Sequence, residues 1–140
     1  MRIPYLNRPT VNKITGKAIG TQRDRADGVI KAMLREIPEL IAITIVEVRS
    51  GRTLSAYTST KAFDPYKASG PNVQLVNSTF KNLMTPGLTG QALDDITVVL
   101  NNQLHCLRPM NDNQWYCYLA VGKAETNLAI VKDIMRRCTR

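Results

Sequence analysis

Apolar positions set the first expectations along the chain. From Thr21 onward Val29, Ile30, Met33, Leu34 and Ile37 recur at helical spacing until Pro38 stops the run, which predicts an amphipathic helix of about four turns. "LIAITIVEV" (40–48) is β-branched with almost no polar interruption, the mark of a strand buried on both faces. "RSGRT" (49–53) offers a glycine-bearing turn, and "LSAYTST" continues as a second, more polar strand nearer a sheet edge. Residues 61–72 read as a loop with Pro65, Gly70 and Pro71, and a second helix is predicted to begin at Pro71 or Asn72. Val73, Val76, Phe80, Leu83 and Met84 form its apolar stripe, closed by Pro86 and Gly87. Three strands follow in "ITVVLNN", "QLHCLRP" and "WYCYLAVG", separated by turns at Asn101-Asn102 and "MNDNQ". A last helix, capped by Thr126 or Asn127, carries Leu128, Ile130, Val131, Ile134, Met135 and Cys138 and ends in Arg136, Arg137 and Arg140. The expected order is α-β-β-α-β-β-β-α, an α+β fold with three helices on a five-stranded antiparallel sheet.

Residues 1–20 show no sustained period. They hold Arg2, Arg8, Lys13 and Lys17, no acid, and the breakers Pro4, Pro9, Gly16 and Gly20, so they read as a flexible basic arm before a domain spanning 21–140. The net charge is +8; the arm's four basic residues leave +4 for the other 120 residues. Such an arm suits nucleic acid, an anionic membrane surface or an acidic partner. "NKITGKAIGT" (12–21) does not complete a phosphate-binding loop, because Val11 stands at the first glycine position and Ala18 at the hydroxyl position.

At 140 residues, 44% hydrophobic and 21% charged, the chain fits one soluble domain with one sizeable core. No apolar run approaches the ~20 residues that span a bilayer, and no secretory h-region opens the sequence, so the cytoplasm is the expected compartment. Three cysteines, Cys106, Cys117 and Cys138, lack Cys-x-x-Cys spacing and read as reduced, packed thiols.

Catalytic candidates are thin. His105 is the only histidine, and its strand neighbour Cys106 should face the opposite side of the sheet. Cys117 could approach Cys106 or His105 across the hairpin, depending on register. Asp94-Asp95 diverge on entering a strand, and a calcium loop starting at Asp112 would find Cys117 and Lys123 where glycine and glutamate are needed. Trp115, Tyr116 and Tyr118 read as core and sheet-face residues. The expectation is no enzyme, no metal and no cofactor; an enzyme would need a pocket around His105 or the cysteines.

The third strand carries Ile96, Val98 and Leu100 on one face and Thr97 and Val99 on the other, without the lysine or proline that protects an exposed edge. An edge of this kind wants a partner.

"REIPELIAITIVEVRSGRTLSAY" and "DDITVVLNNQLHCLRPMNDNQWYCYLAVGKAETNLAIVKDIM" together resemble the Roadblock family, the small domain of dynein light chains and of bacterial regulators of small GTPases. The likeness runs from about Thr21 to Arg140 and implies a Roadblock/profilin-like sandwich. It further implies a homodimer in which the third strand pairs with its twofold mate and the second helices meet. The interface would be drawn from Val73, Val76, Phe80, Leu83, Ile96, Thr97, Val98, Val99 and Leu100. The implied partner is a small Ras-like GTPase, with Gln74, Asn77, Lys81 and Asn82 as candidate contacts off the apolar stripe. A heterodimer with another Roadblock-like domain is open on the same logic. The alternative is an adaptor whose basic arm binds nucleic acid or an anionic membrane while the body dimerises.

Overall fold

The computed structural model describes residues 11–124 and 126–140. Among these residues eight elements follow in the expected order: α1 (Gly20–Glu36), β1 (Ala42–Glu47), β2 (Thr53–Thr58), α2 (Pro65–Asn82), β3 (Ile96–Val99), β4 (Gln103–Met110), β5 (Trp115–Gly122) and α3 (Leu128–Cys138). The strands form one sheet in the order β2-β1-β5-β4-β3, and every pairing is antiparallel.

Period-two alternation sorts the interior into two layers. Ile43 and Ile45 of β1, Leu104 and Cys106 of β4, and Cys117, Leu119 and Val121 of β5 pack with Ala26, Ile30 and Met33 of α1 and Val131, Ile134 and Met135 of α3. On the other face Val46, Leu107, Tyr116, Tyr118 and Ala120 meet Val76 of α2, with Val73, Phe80, Phe63 and Ile96 part-buried around them. The β1–β2 register shifts between Ile45 and Val46, which leaves Leu54 without an opposite residue and lets it join the α1 layer.

Local chemistry sets the ends of the helices. α1 stops at Ile37 because Pro38 disfavours helix in the residue before it. Asn127 caps α3 by accepting a hydrogen bond from the Ile130 amide at 3.2 Å. α2 departs from the sequence reading: the expected loop 61–72 is helical from Pro65. The Asp64 side chain accepts from the Tyr66 amide at 3.0 Å, and Pro65 sits in the first turn, where its missing N–H costs nothing. Pro71 therefore lies inside the helix, on its exposed side, and removes one backbone donor.

The larger departure concerns the basic arm. Arg2 and Arg8 lie outside the described residues, but residues 11–18 lie along β2 as a strap. The Asn12 amide donates to Thr58 O at 2.8 Å, Thr15 and Ala56 exchange bonds of 2.9 and 2.7 Å, and the Lys17 amide donates to Thr53 O at 3.1 Å. Ala18 is buried in the α1 layer and Ile14 packs against it. Gly16 permits this closeness: a Cβ there would stand 2.1 Å from Leu54 O and 2.9 Å from the Ser55 Cα. The chain's own backbone thus covers the outer side of β2.

The candidate interaction face

β3 is the opposite edge. It pairs with β4 alone, Ile96 opposite Leu107, Thr97 opposite Cys106, Val98 opposite His105 and Val99 opposite Leu104. The register puts Ile96 and Val98 on the α2 side and Thr97 and Val99 on the α3 side. Ile96, Thr97 and Val98 are half-buried, while Val99 is 57% and Leu100 43% exposed. Leu100 falls one residue beyond the strand, where its amide bonds to Gln103 O at 2.9 Å in the turn built on Asn101 and Asn102. No strand lies on the outer side of β3 among the described residues.

A polar network holds that edge against the body. Arg108 of β4 donates to both the side chain and the carbonyl of Asp94, and its Nε donates to Thr139 Oγ1 at 3.1 Å. Lys132 of α3 pairs with Asp95 at 3.2 Å, and Asp95 also accepts from Thr97 Oγ1 at 3.1 Å. The Arg108 guanidinium keeps the Asp94 carboxyl below its ordinary range. Asp94 and Asp95 are thus ion-pair anchors for β3, each turned to a different cation.

α2 covers β1 and β2 and bridges its layer with polar bonds. Ser69 and Thr53 hydroxyls meet at 2.8 Å, and Tyr116 OH donates to Ser69 O at 3.1 Å. The expected apolar stripe divides on this helix. Val76 is fully buried within the chain, so it cannot touch a second copy, which corrects the expected interface set. Its own core takes it because it stands over Tyr116 and Tyr118 in the middle of the layer. Val73, Phe80 and Leu83 stay half-buried and keep surface to offer. Gln74, Asn77, Lys81 and Asn82 are all exposed; spacings of 3 and 4 set Gln74, Asn77 and Lys81 along one side of α2, with Asn82 next to Lys81 at the helix end.

The chemical candidates are dispersed. Cys106 packs in the α1 layer, whereas His105 faces the α2 side, where its Nδ1 meets Tyr118 OH at 3.2 Å, its Nε2 meets Gln103 Oε1 at 2.8 Å, and its ring lies 6.1 Å from Phe63. Burial lowers the His105 pKa and raises those of Cys106 and Cys117. Cys117 stands opposite Arg108, and Cys106 opposite Leu119, so neither cysteine faces the other or His105 directly; all three cysteines are free. "NDN" supplies backbone shape: Asn111, Asp112 and Asn113 hold φ of 53°, 55° and 64°, the left-handed region that Asn and Asp tolerate, to turn β4 into β5. Among the described residues no group of three or more His, Cys, Asp or Glu side chains is placed to hold a metal ion. No described helix is long and apolar enough to cross a membrane.

Sequence comparison is silent: no family model and no curated protein matches this chain. Shape comparison places it. MglB of Myxococcus xanthus superposes with a TM-score of 0.72 at 10% identity over 88% of each chain. A Roadblock/LC7 domain from Streptomyces avermitilis gives 0.60 at 11% identity over 79% of this chain and 88% of its own. The chain therefore has the Roadblock/LC7 fold, an α+β sandwich of three helices and five antiparallel strands. Within that fold class the MglB shape fits more of it: the gliding protein MglB from Thermus thermophilus gives 0.71 at 15% identity over 90% of this chain and 91% of its own.

Proposed function

We propose that this chain is a non-catalytic regulatory or scaffold homodimer that binds a small Ras-like GTPase and modulates its nucleotide state or localisation. The observation that carries the reading is the open β3 edge beside a half-covered α2, in a fold shared with MglB. Pairing β3 antiparallel with its twofold mate satisfies the outward backbone groups and buries Val99 together with the remaining surface of Val73, Phe80 and Leu83. A second Roadblock-like chain of another sequence would meet the same edge.

Dimerisation would set two α2 helices side by side and double the polar row Gln74, Asn77, Lys81 and Asn82. That row is the proposed GTPase contact. Regulation requires only that it bind the partner's switch segments better in one nucleotide state than in the other. The GTP chemistry then belongs to the partner.

The test is capture from lysate of the source cell on immobilised protein, in excess GTP analogue and in excess GDP. A small GTPase recovered in one nucleotide condition, and lost with Asn77→Ala and Lys81→Glu together, is the expected result. Recovery of no GTPase in either condition would overturn the reading.

A further inference from the structure

The strap does more than close β2, because it also displays charge. Lys13 and Lys17 are exposed along it. Lys17 Nζ stands 6.0 Å from the centre of the Tyr66 ring, and Tyr66 OH meets Thr15 Oγ1 at 2.8 Å, which brings the first turn of α2 alongside; Lys67 is exposed on the same turn. Arg52 precedes the Thr53 carbonyl that takes the Lys17 amide, and its guanidinium donates to Gln22 Oε1 at 2.8 Å on the first turn of α1. The strap, β2 and the first turns of α1 and α2 thus meet at one corner of the fold, with Lys13, Lys17, Arg52 and Lys67 exposed on the segments that form it.

Ile19, two residues on from Lys17, is 84% exposed, joint highest with Met84 among the large apolar side chains of the described residues. It occupies the N-cap position of α1, where it offers no side-chain acceptor, and the first turn carries no acid. The acids nearby are mostly engaged within the fold. Asp27 holds Arg23 at 2.8 Å and accepts from Ser55, Asp64 caps α2, and Glu47 accepts from Ser50 Oγ at 2.5 Å. Asp24 alone stands exposed on α1 at the border.

We propose that this strap surface, Lys13, Lys17, Arg52 and Lys67 with Ile19, docks the protein on an anionic lipid bilayer. The cations meet the headgroups while Ile19 enters the interfacial region, the combination of charge and one apolar side chain that peripheral membrane binding uses. Nucleic acid fits the surface less well. Single strands need free aromatic faces, but the Tyr66 ring lies under Lys17 and Tyr57 OH is tied to Asn12 at 3.1 Å. A protruding isoleucine has no counterpart on a phosphate backbone. The surface lies at the opposite edge of the sheet from β3, so it does not depend on the dimer, and a single chain would carry it equally.

The test is cosedimentation of the full chain with phosphatidylcholine vesicles and with phosphatidylcholine vesicles containing phosphatidylserine. Binding is expected only with phosphatidylserine and should weaken with salt. Each basic residue held at an anionic leaflet is worth about a factor of five, so Lys17→Glu should weaken binding by at least about that much. Ile19→Ser should weaken it too while preserving the salt dependence. Arg140→Glu changes net charge equally but lies beyond α3, next to the Thr139 that accepts from Arg108 of β4 and away from the strap, so it should bind as wild type. All three positions are exposed, and unchanged thermal melts confirm folding. Failure of the folded protein to bind phosphatidylserine vesicles at low salt, equal losses for Arg140→Glu and Lys17→Glu, or displacement from vesicles by a duplex oligonucleotide would each overturn the proposal.

Discussion

Along β2 the outward backbone groups meet residues 12–18 of the same chain, whereas along β3 they meet no strand among the described residues. The closed side is built from small residues and fixed donors. Gly16 lets the strap backbone touch Leu54, and Arg23, held by Asp27 at 2.8 Å, donates to the carbonyls of Gly16 at 3.2 Å and Ile14 at 3.4 Å. The open side is held in place from behind, by Arg108 and Lys132, and presents Val99 and Leu100 outward. An exposed edge is an aggregation risk that folded proteins ordinarily block. This chain blocks one edge with its own backbone, and the edge left unblocked among the described residues is the one the proposed dimer would use.

Opening the closed edge should have the largest effect. Gly16→Ala drives a Cβ into backbone that cannot yield, with an expected loss of about 2–3 kcal/mol and concentration-dependent association through the bared β2; denaturant melts at two protein concentrations check both. Arg23→Ala should cost about 1–2 kcal/mol by leaving two strap carbonyls without that donor. Hydrogen exchange should then quicken at the Thr15 and Ala56 amides and stay unchanged in β3. Equal quickening in β3 would show that the two edges are not independent.

The smallest effect concerns acid. His105 is held neutral by burial, so the unfolded chain takes up the proton first as pH falls below 6.5, and stability should decline from there downward. His105→Gln should flatten that part of the pH–stability profile. An unchanged profile would remove His105 from the α2-side layer.

Period and punctuation carried most of the fold. β1 and β5 were legible because β-branched and aromatic runs of that length have few alternatives, and the opposite facing of His105 and Cys106 follows from a period of two. The start of α2 was misread because Gly70-Pro71 looks like a stop, although Asp64-Pro65 is a cap followed by a first-turn proline. The strap was missed because its core contacts come from Ile14 and Ala18, too few and too small to make a period among lysines. Gly16 beside Ala18 was the one available signal, since small residues permit close backbone approach. Removing residues 1–20 would therefore strip the cover from β2 rather than trim a tail. The polar row on α2 was legible as exposed, but exposure alone says nothing of what binds there.

The central claim is that β3 is closed by a second copy. Val99→Lys tests it without touching the core, because Val99 is already more than half exposed and the substitution should change folding stability by no more than about 0.5 kcal/mol. Light scattering across a dilution series should give twice the chain mass for wild type and the single-chain mass for Val99→Lys at an unchanged melting temperature. A wild type that holds single-chain mass at every concentration, or a Val99→Lys variant that dimerises as wild type does, would contradict it.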